Sequence, residues 1–168
     1  MNVKKIVLAL TLVLGAGALL WQPLTISANS KSNSKLQALM AEKNAAESQA
    51  AAETLGMHET MSGLKWKDNV EGDGDLATLG KNVSVDYTGW FYPDGDKFDS
   101  SLDRGEPYAF RLGGHTVIKG WEEGLNGMKV GGKRTLIIPP SLGYGPNDYQ
   151  SIPGNSTLKF DVELVSVD

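Results

Sequence analysis

The chain has 168 residues and a mass of 18.0 kDa, enough for one domain with an appendage and for a core that needs no disulfide or metal to hold it. Apolar residues make up 40% and charged residues 21%, which excludes a wholly disordered polymer, and the absence of cysteine excludes a disulfide framework, a thiol nucleophile, a cysteine zinc site and a lipid anchor on cysteine. A net charge of −4 argues against nucleic acid as a partner, since binding phosphates draws on lysine and arginine.

Residues 1–28 hold Lys4 and Lys5 and no acid. These lysines precede Ile6–Leu20, a run of apolar and small residues broken only by Thr11 and ended by Trp21-Gln22-Pro23. Charge followed by an apolar run is the order of a secretory signal. The run has 15 residues, short of the ~20 of a membrane-crossing helix, and Ile26-Ser27-Ala28 offers small residues for cleavage. Residues 1–28 are therefore read as a signal peptide or an N-terminal membrane anchor. The protein is expected to be exported to a periplasm or an equivalent lumen, either released or tethered by residues 6–20.

Residues 29–58 are read as a flexible or partly helical linker. Positions 29–55 contain seven alanines and no glycine, proline or aromatic residue, so Lys35–Glu53 has helix propensity. Leu36, Leu39, Met40 and Ala46 make only a thin apolar stripe, which favours a fraying tether over a packed helix.

From Gly56 onward the composition changes, with 18 of the 20 glycines and six of the seven prolines. Residues 59–168 are read as the folded domain. Val83, Val85 and Tyr87 alternate with polar residues, as do Leu158, Phe160, Val162 and Leu164, which is the period of half-buried antiparallel strands. Met61–Val70, Tyr108–Leu112 and Lys133–Ile138 are three further strand candidates. One helix is predicted over Val117–Asn126, where Ile118, Trp121 and Leu125 share a face and Gly127 closes the segment. The fold class is thus α+β, a five-stranded antiparallel sheet with one short helix lying across it.

Conventional catalytic patterns are missing: there is no Gly-x-Ser-x-Gly elbow, phosphate-binding loop, His-Glu-x-x-His pair or dinucleotide fingerprint. Glu122 and Glu123 are adjacent in a predicted helix, splay by ~100°, and read as a solvated face. His115 follows Gly113-Gly114 in a predicted turn and reads as a loop residue, and two distant histidines make a poor metal site. No metal and no cofactor are expected. Tyr87, Phe98, Tyr108, Phe110, Trp121, Tyr144 and Phe160 stand at the edges of the predicted elements. Spacing alone leaves open whether they pack a core or line a pocket.

Four motifs occur in order: Val-Asp-Tyr-Thr-Gly-Trp-Phe-Tyr-Pro-Asp-Gly-Asp-Lys-Phe-Asp-Ser-Ser-Leu-Asp-Arg at 85–104, Val-Ile-Lys-Gly-Trp-Glu-Glu-Gly-Leu at 117–125, Ile-Pro-Pro-Ser-Leu-Gly-Tyr-Gly at 138–145, and Leu-Lys-Phe-Asp-Val-Glu-Leu at 158–164. Together they closely resemble the FKBP family of peptidyl-prolyl cis–trans isomerases over about 105 residues, from Ser62 onward. The resemblance implies a five-stranded antiparallel half-barrel wrapped around one short helix, with the active pocket between helix and sheet. It carries catalytic roles to Tyr87, Phe98, Asp99, Ile118, Trp121 and Tyr144, and substrate contacts to Tyr108, Val117 and Phe160. Arg104 falls at the position that supports Asp99. Trp121 would floor the pocket, and the Tyr144 hydroxyl and Ile118 N–H would donate to ligand carbonyls.

Two departures qualify the transfer. Tyr108 stands where the family often has Phe, and the 146–154 loop reads one residue shorter than the eukaryotic pattern and lacks its usual histidine. The implied partners are proline-containing polypeptides in the course of folding and macrolides such as rapamycin, with no nucleic acid, and the chain is expected to be monomeric. The rival reading is an FKBP-fold binding module or chaperone whose isomerase activity is incidental.

Overall fold

The computed structural model describes residues 30–168 except position 94, so the expected signal or anchor segment lies outside the described residues. The chain divides into two compact units, one ending at Gln37 and the other running from Ala38 to Asp168. The described part of the first, residues 30–37, forms the opening turns of helix α1 (Ser30–Thr54).

The remainder of α1 belongs to the second unit and supplies the helical part of the segment read as a flexible or partly helical linker. The helix is continuous for 25 residues, and its last turns are bound to strands β3 (Asn82–Tyr92) and β7 (Thr157–Val167). The Tyr92 hydroxyl donates to the Ala50 carbonyl at 2.8 Å, and the Lys159 ammonium pairs with Glu53 while lying 5.6 Å from the centre of the Trp90 ring. A weak apolar stripe underestimates such a helix, because its contacts are one backbone carbonyl and one carboxylate rather than buried leucines.

Strand β1 (His58–Glu59) leads to β2 (Lys65–Val70), β3, β4 (Lys97–Ser100) and the single turn of helix α2 (Ser101–Arg104). Strand β5 (Tyr108–Arg111), helix α3 (Lys119–Gly124), β6 (Lys133–Ile138), a 3-10 turn at Pro140–Leu142 and β7 follow. All strand pairs are antiparallel, in the order β1-β2-β6-β7-β3-β4, and β5 also pairs with β3. The five predicted strands are present. The two additional ones, β1 and β4, have two and four residues.

Two boundaries moved. Strand β2 starts at Lys65 rather than Met61, because Gly63 (φ 89°) completes a turn in which its N–H donates to the Thr60 carbonyl. Helix α3 is confined to six residues inside the predicted segment, between Ile118 and Leu125 as its caps. Inward positions of the long strands follow the alternation: Val83, Val85 and Tyr87 on β3 and Leu158, Phe160, Val162 and Leu164 on β7 are all buried. With Leu64, Leu112, Leu125, Met128, Leu136 and Ile138 they form one core between the sheet and α3.

Candidate active site

Helix α3 lies close to the sheet because two of its residues have no side chain. A Cβ at Gly120 would stand 2.5 Å from the Ile138 Cγ2, and one at Gly124 would stand 2.8 Å from a Leu136 methyl. Arg134, with its side chain only 7% exposed, fixes the far end of the helix: it donates to the Gly124 carbonyl at 2.7 Å and to both oxygens of Asp68 at 2.7 and 2.9 Å. Buried charge of this kind needs every donor matched, and a helix carbonyl together with a bidentate carboxylate meets most of that need. The arrangement turns Trp121 toward the concave side of the sheet.

There Trp121 meets three rings edge-on: Tyr87 at 4.9 Å, Phe160 at 5.3 Å and Tyr108 at 6.3 Å between centroids. Phe98 stands edge-on to Phe160 at 5.5 Å, an approach made possible by Gly89, where a Cβ would lie 2.7 Å from the Phe98 ring. These rings wall a cavity of about 900 Å³. Every residue expected at the site lines it: Tyr87, Phe98, Asp99, Arg104, Tyr108, Val117, Ile118, Trp121, Tyr144 and Phe160.

Serine hydroxyls and a charged cluster hold Tyr87 in place. The Ser101 hydroxyl accepts from the Tyr87 N–H at 2.9 Å, and the Ser100 hydroxyl donates to the Tyr87 carbonyl at 3.0 Å, which ties β3 to the Asp99-Ser100-Ser101 corner. Asp99 accepts from the Tyr87 hydroxyl, from Arg104 at 2.5 Å and from the Ser100 N–H at 2.8 Å, and Arg104 also donates to the Tyr87 hydroxyl at 2.8 Å. Burial, followed by the bond to the Asp99 carboxylate, pushes the Tyr87 phenol up to about 12. Burial alone would raise Asp99, but the Tyr87 hydroxyl, Arg104 and the Ser100 N–H outweigh it and hold the carboxyl below the ordinary range. Asp99 is thus an ionised brace, and turn capping and pairing with Arg104 coexist in it.

Several donors around the cavity remain unused among the described residues. The Tyr144 and Tyr108 hydroxyls and the Ile118 N–H make no hydrogen bond, and the buried Trp121 indole N–H finds no acceptor. The Tyr144 phenol is raised, first by burial and then by the proximity of Tyr149, Asp99 and Tyr108, so it stays protonated and able to donate near neutral pH. Among the described residues no three His, Asp or Glu side chains converge on a point where a metal could sit.

The sequence reading missed part of the wall. Tyr149 stacks on Tyr144 with centroids 4.9 Å apart, and its N–H and carbonyl exchange hydrogen bonds with Ile152 across the shortened loop. An aromatic five residues after Tyr144, in a loop rich in Gly and Pro, was the available signal. His115, read as a loop residue, is in a turn with φ 55° and also lines the cavity. Glu122 and Glu123 splay as expected toward solvent, and each also holds a neighbouring segment: Glu122 accepts from the N–H groups of Gly113 and His115, and Glu123 accepts from the Ser62 hydroxyl.

The family pattern of FKBP-type peptidyl-prolyl cis-trans isomerases matches residues 74–165, which contain all the residues of this wall. The chain belongs to the FKBP-type isomerase family. An FK506-binding protein of Neisseria meningitidis serogroup B is 52% identical to this FKBP chain over 108 residues, covering 64% of it and 98% of the relative. Among solved structures, that of AtFKBP13 superposes with a TM-score of 0.63 at 39% identity, covering 67% of this chain and 98% of the other. FkpA from Escherichia coli gives the same TM-score at 36% identity, covering 84% of this FKBP and 73% of FkpA. The half-barrel and its enclosed short helix are therefore the FKBP fold, and the isomerase activity is that of the family.

Proposed function

We propose that the Trp121-floored cavity is where this isomerase rotates X–Pro bonds, that its substrates are polypeptides folding after export, and that the same cavity accepts macrolides such as rapamycin. The observation that carries the reading is an aromatic cavity with unused donors, Tyr144 Oη–H and Ile118 N–H, set beside an ionised Asp99.

Rotation about an X–Pro amide is opposed by ~18–20 kcal/mol of resonance and breaks no bond, so neither a nucleophile nor a metal is required. In the planar ground state the amide is strongly dipolar and well hydrated. In the twisted transition state resonance is lost and less charge sits on the carbonyl oxygen. A pocket built from Tyr87, Phe98, Trp121 and Phe160 replaces water with apolar surface, which costs the planar form more than the twisted one. Tyr144 and Ile118 donate to carbonyls of the bound chain and hold its flanks while the prolyl bond turns. Asp99 orients the Tyr87 ring through its hydroxyl and extends its field to the Tyr144 phenol. Tyr108, 40% exposed, adds a hydroxyl at the rim, and Val117 also lines the cavity.

The test is a proline-isomerisation assay on the purified protein with Leu-Pro and Phe-Pro tetrapeptides, with and without rapamycin. Catalysis of both peptides is expected, because an apolar cavity rewards an apolar residue before proline, and rapamycin should abolish it by occupying the same cavity. A folded protein at background rate would sink the catalytic assignment and leave a peptide-binding module. Export is read separately in a bacterial host, where the full chain should cross the inner membrane. Substituting Leu12 and Leu14 by lysine should trap it inside, each charge costing ~2.5–3.5 kcal/mol in an inserting segment.

A further inference from the structure

The cavity wall from His115 to Ile118 has almost no support of its own. Strand β5 ends at Arg111, and the chain turns through Gly113 (φ 83°), Gly114 and His115 (φ 55°). Such left-handed positions carry backbone N–H groups out of any ladder. Within this turn the Gly114 N–H is paired with the Arg111 carbonyl. The next backbone bonds are made by Ile118, whose carbonyl accepts from Trp121 at 2.9 Å and from Glu122 at 3.3 Å as α3 begins. Between these points, among the described residues, the N–H groups of Gly113 and His115 are held by one group, the Glu122 carboxylate: Oε2 accepts from Gly113, and Oε1 accepts from His115 at 2.9 Å.

We infer that Glu122 is a positioning residue of the active site, closing the segment 113–122 into a clasp that sets the cavity wall formed by His115, Val117 and Ile118. The inference rests on the cavity being the site of isomerisation. A charged acceptor bonded to two backbone donors is the strong form of such a contact. It acts on main chain, so the wall's position does not depend on which side chains occupy it. The same segment carries the unused Ile118 N–H, and a wall that drifts moves that donor relative to a bound carbonyl.

The helix supplies its own control. Glu123 has the same charge on the same short helix, but it holds Ser62, on the turn before β2, through 2.8 Å contacts that do not touch the cavity. The experiment uses the full chain with a Phe-Pro tetrapeptide, comparing Glu122→Ala, Glu122→Gln and Glu123→Ala. A loosened wall weakens ground state and transition state alike, so Glu122→Ala should raise KM about tenfold with kcat little changed. Glu122→Gln, which keeps one acceptor oxygen but sets its amide NH2 against the second backbone N–H, should recover only part of this, and Glu123→Ala should leave both constants alone. A purely structural loss would lower the folded fraction and hence kcat, with KM unmoved. Amide exchange at Gly113 and His115 reads the clasp directly and should quicken in Glu122→Ala whether or not the wild type catalyses. Inactive wild type would refute the site assignment; active wild type with unchanged KM in Glu122→Ala, or unchanged exchange at those two amides, would overturn the role of Glu122.

Discussion

Replacing Gly120 with alanine pits two known effects against each other. In an ordinary helix this change stabilises, since Ala is favoured over Gly by roughly 0.8–1.0 kcal/mol. Here the new methyl would be 2.5 Å from Ile138 Cγ2, 2.8 Å from its Cδ1 and 2.9 Å from its Cγ1, and Ile138 is fully buried in β6. Overpacking a core at such distances costs about 1–3 kcal/mol, and contacts this short place the cost in the upper part of that range, so it outweighs the propensity gain and leaves a net loss of up to about 2 kcal/mol. The assay is equilibrium urea unfolding, with the Ile138→Ala background as internal check. Ile138→Ala alone should cost about 2–5 kcal/mol, because it opens a cavity. It also removes all three clashing atoms, so adding Gly120→Ala to it should be neutral or stabilising. The sign of the alanine effect thus reverses between backgrounds. Stabilisation of the wild type by Gly120→Ala, or additive losses in the double variant, would refute the claim that the missing Cβ sets the distance between α3 and β6.

Three further outcomes are expected. Tyr144→Phe keeps the ring stacked on Tyr149 and loses one neutral hydrogen bond worth about 0.5–1.5 kcal/mol, so rapamycin affinity and kcat/KM should fall severalfold, as read by titration and the peptide assay. The Tyr87 phenol, raised in the fold to about 12, contributes stability that is complete below its unfolded value near 10 and is lost as pH climbs from 10 to 12; the difference in unfolding free energy between wild type and Tyr87→Phe, read by urea titration, should shrink over that window by at most about 2–3 kcal/mol. Deleting residues 1–55 removes the Tyr92–Ala50 hydrogen bond and the Lys159–Glu53 pair, so stability should fall by about 1–2 kcal/mol while kcat/KM holds, because Lys159 alternates with the cavity-facing Phe160 and faces away from the site; a loss of activity in folded protein would place α1 in the machinery.

What the sequence revealed follows from which interactions leave a local trace. Val83 to Tyr87 and Leu158 to Leu164 announce strands because burial on one face imposes a period of two, and the cluster Tyr87, Phe98, Trp121 and Phe160 could be placed through the motifs that carry it. The docking of α1 left no such trace: Tyr92 reaches a backbone carbonyl 42 positions away, and any residue at position 50 would offer the same acceptor. The bonds made by Glu122 left no trace for the same reason, since its partners are main-chain N–H groups with no residue type to recognise. The stack of Tyr149 on Tyr144 depends on the path of a loop whose φ values at Gln150 and Asn155 (53° and 62°) are uncommon for non-glycine residues, and pattern alone did not supply that path.

Strand β7 comes after every other strand in the chain, yet it lies in the middle of the sheet, between β6 and β3. Without β7, strands β3 and β6 would each present an open edge, and the hydrophobic row of Leu158, Phe160, Val162 and Leu164 that joins them would be missing. Pairings as non-local as β3 with β7 are slow to form. The cavity is therefore a product of the whole sheet: Phe160 enters its wall only when β7 is seated between its two neighbours.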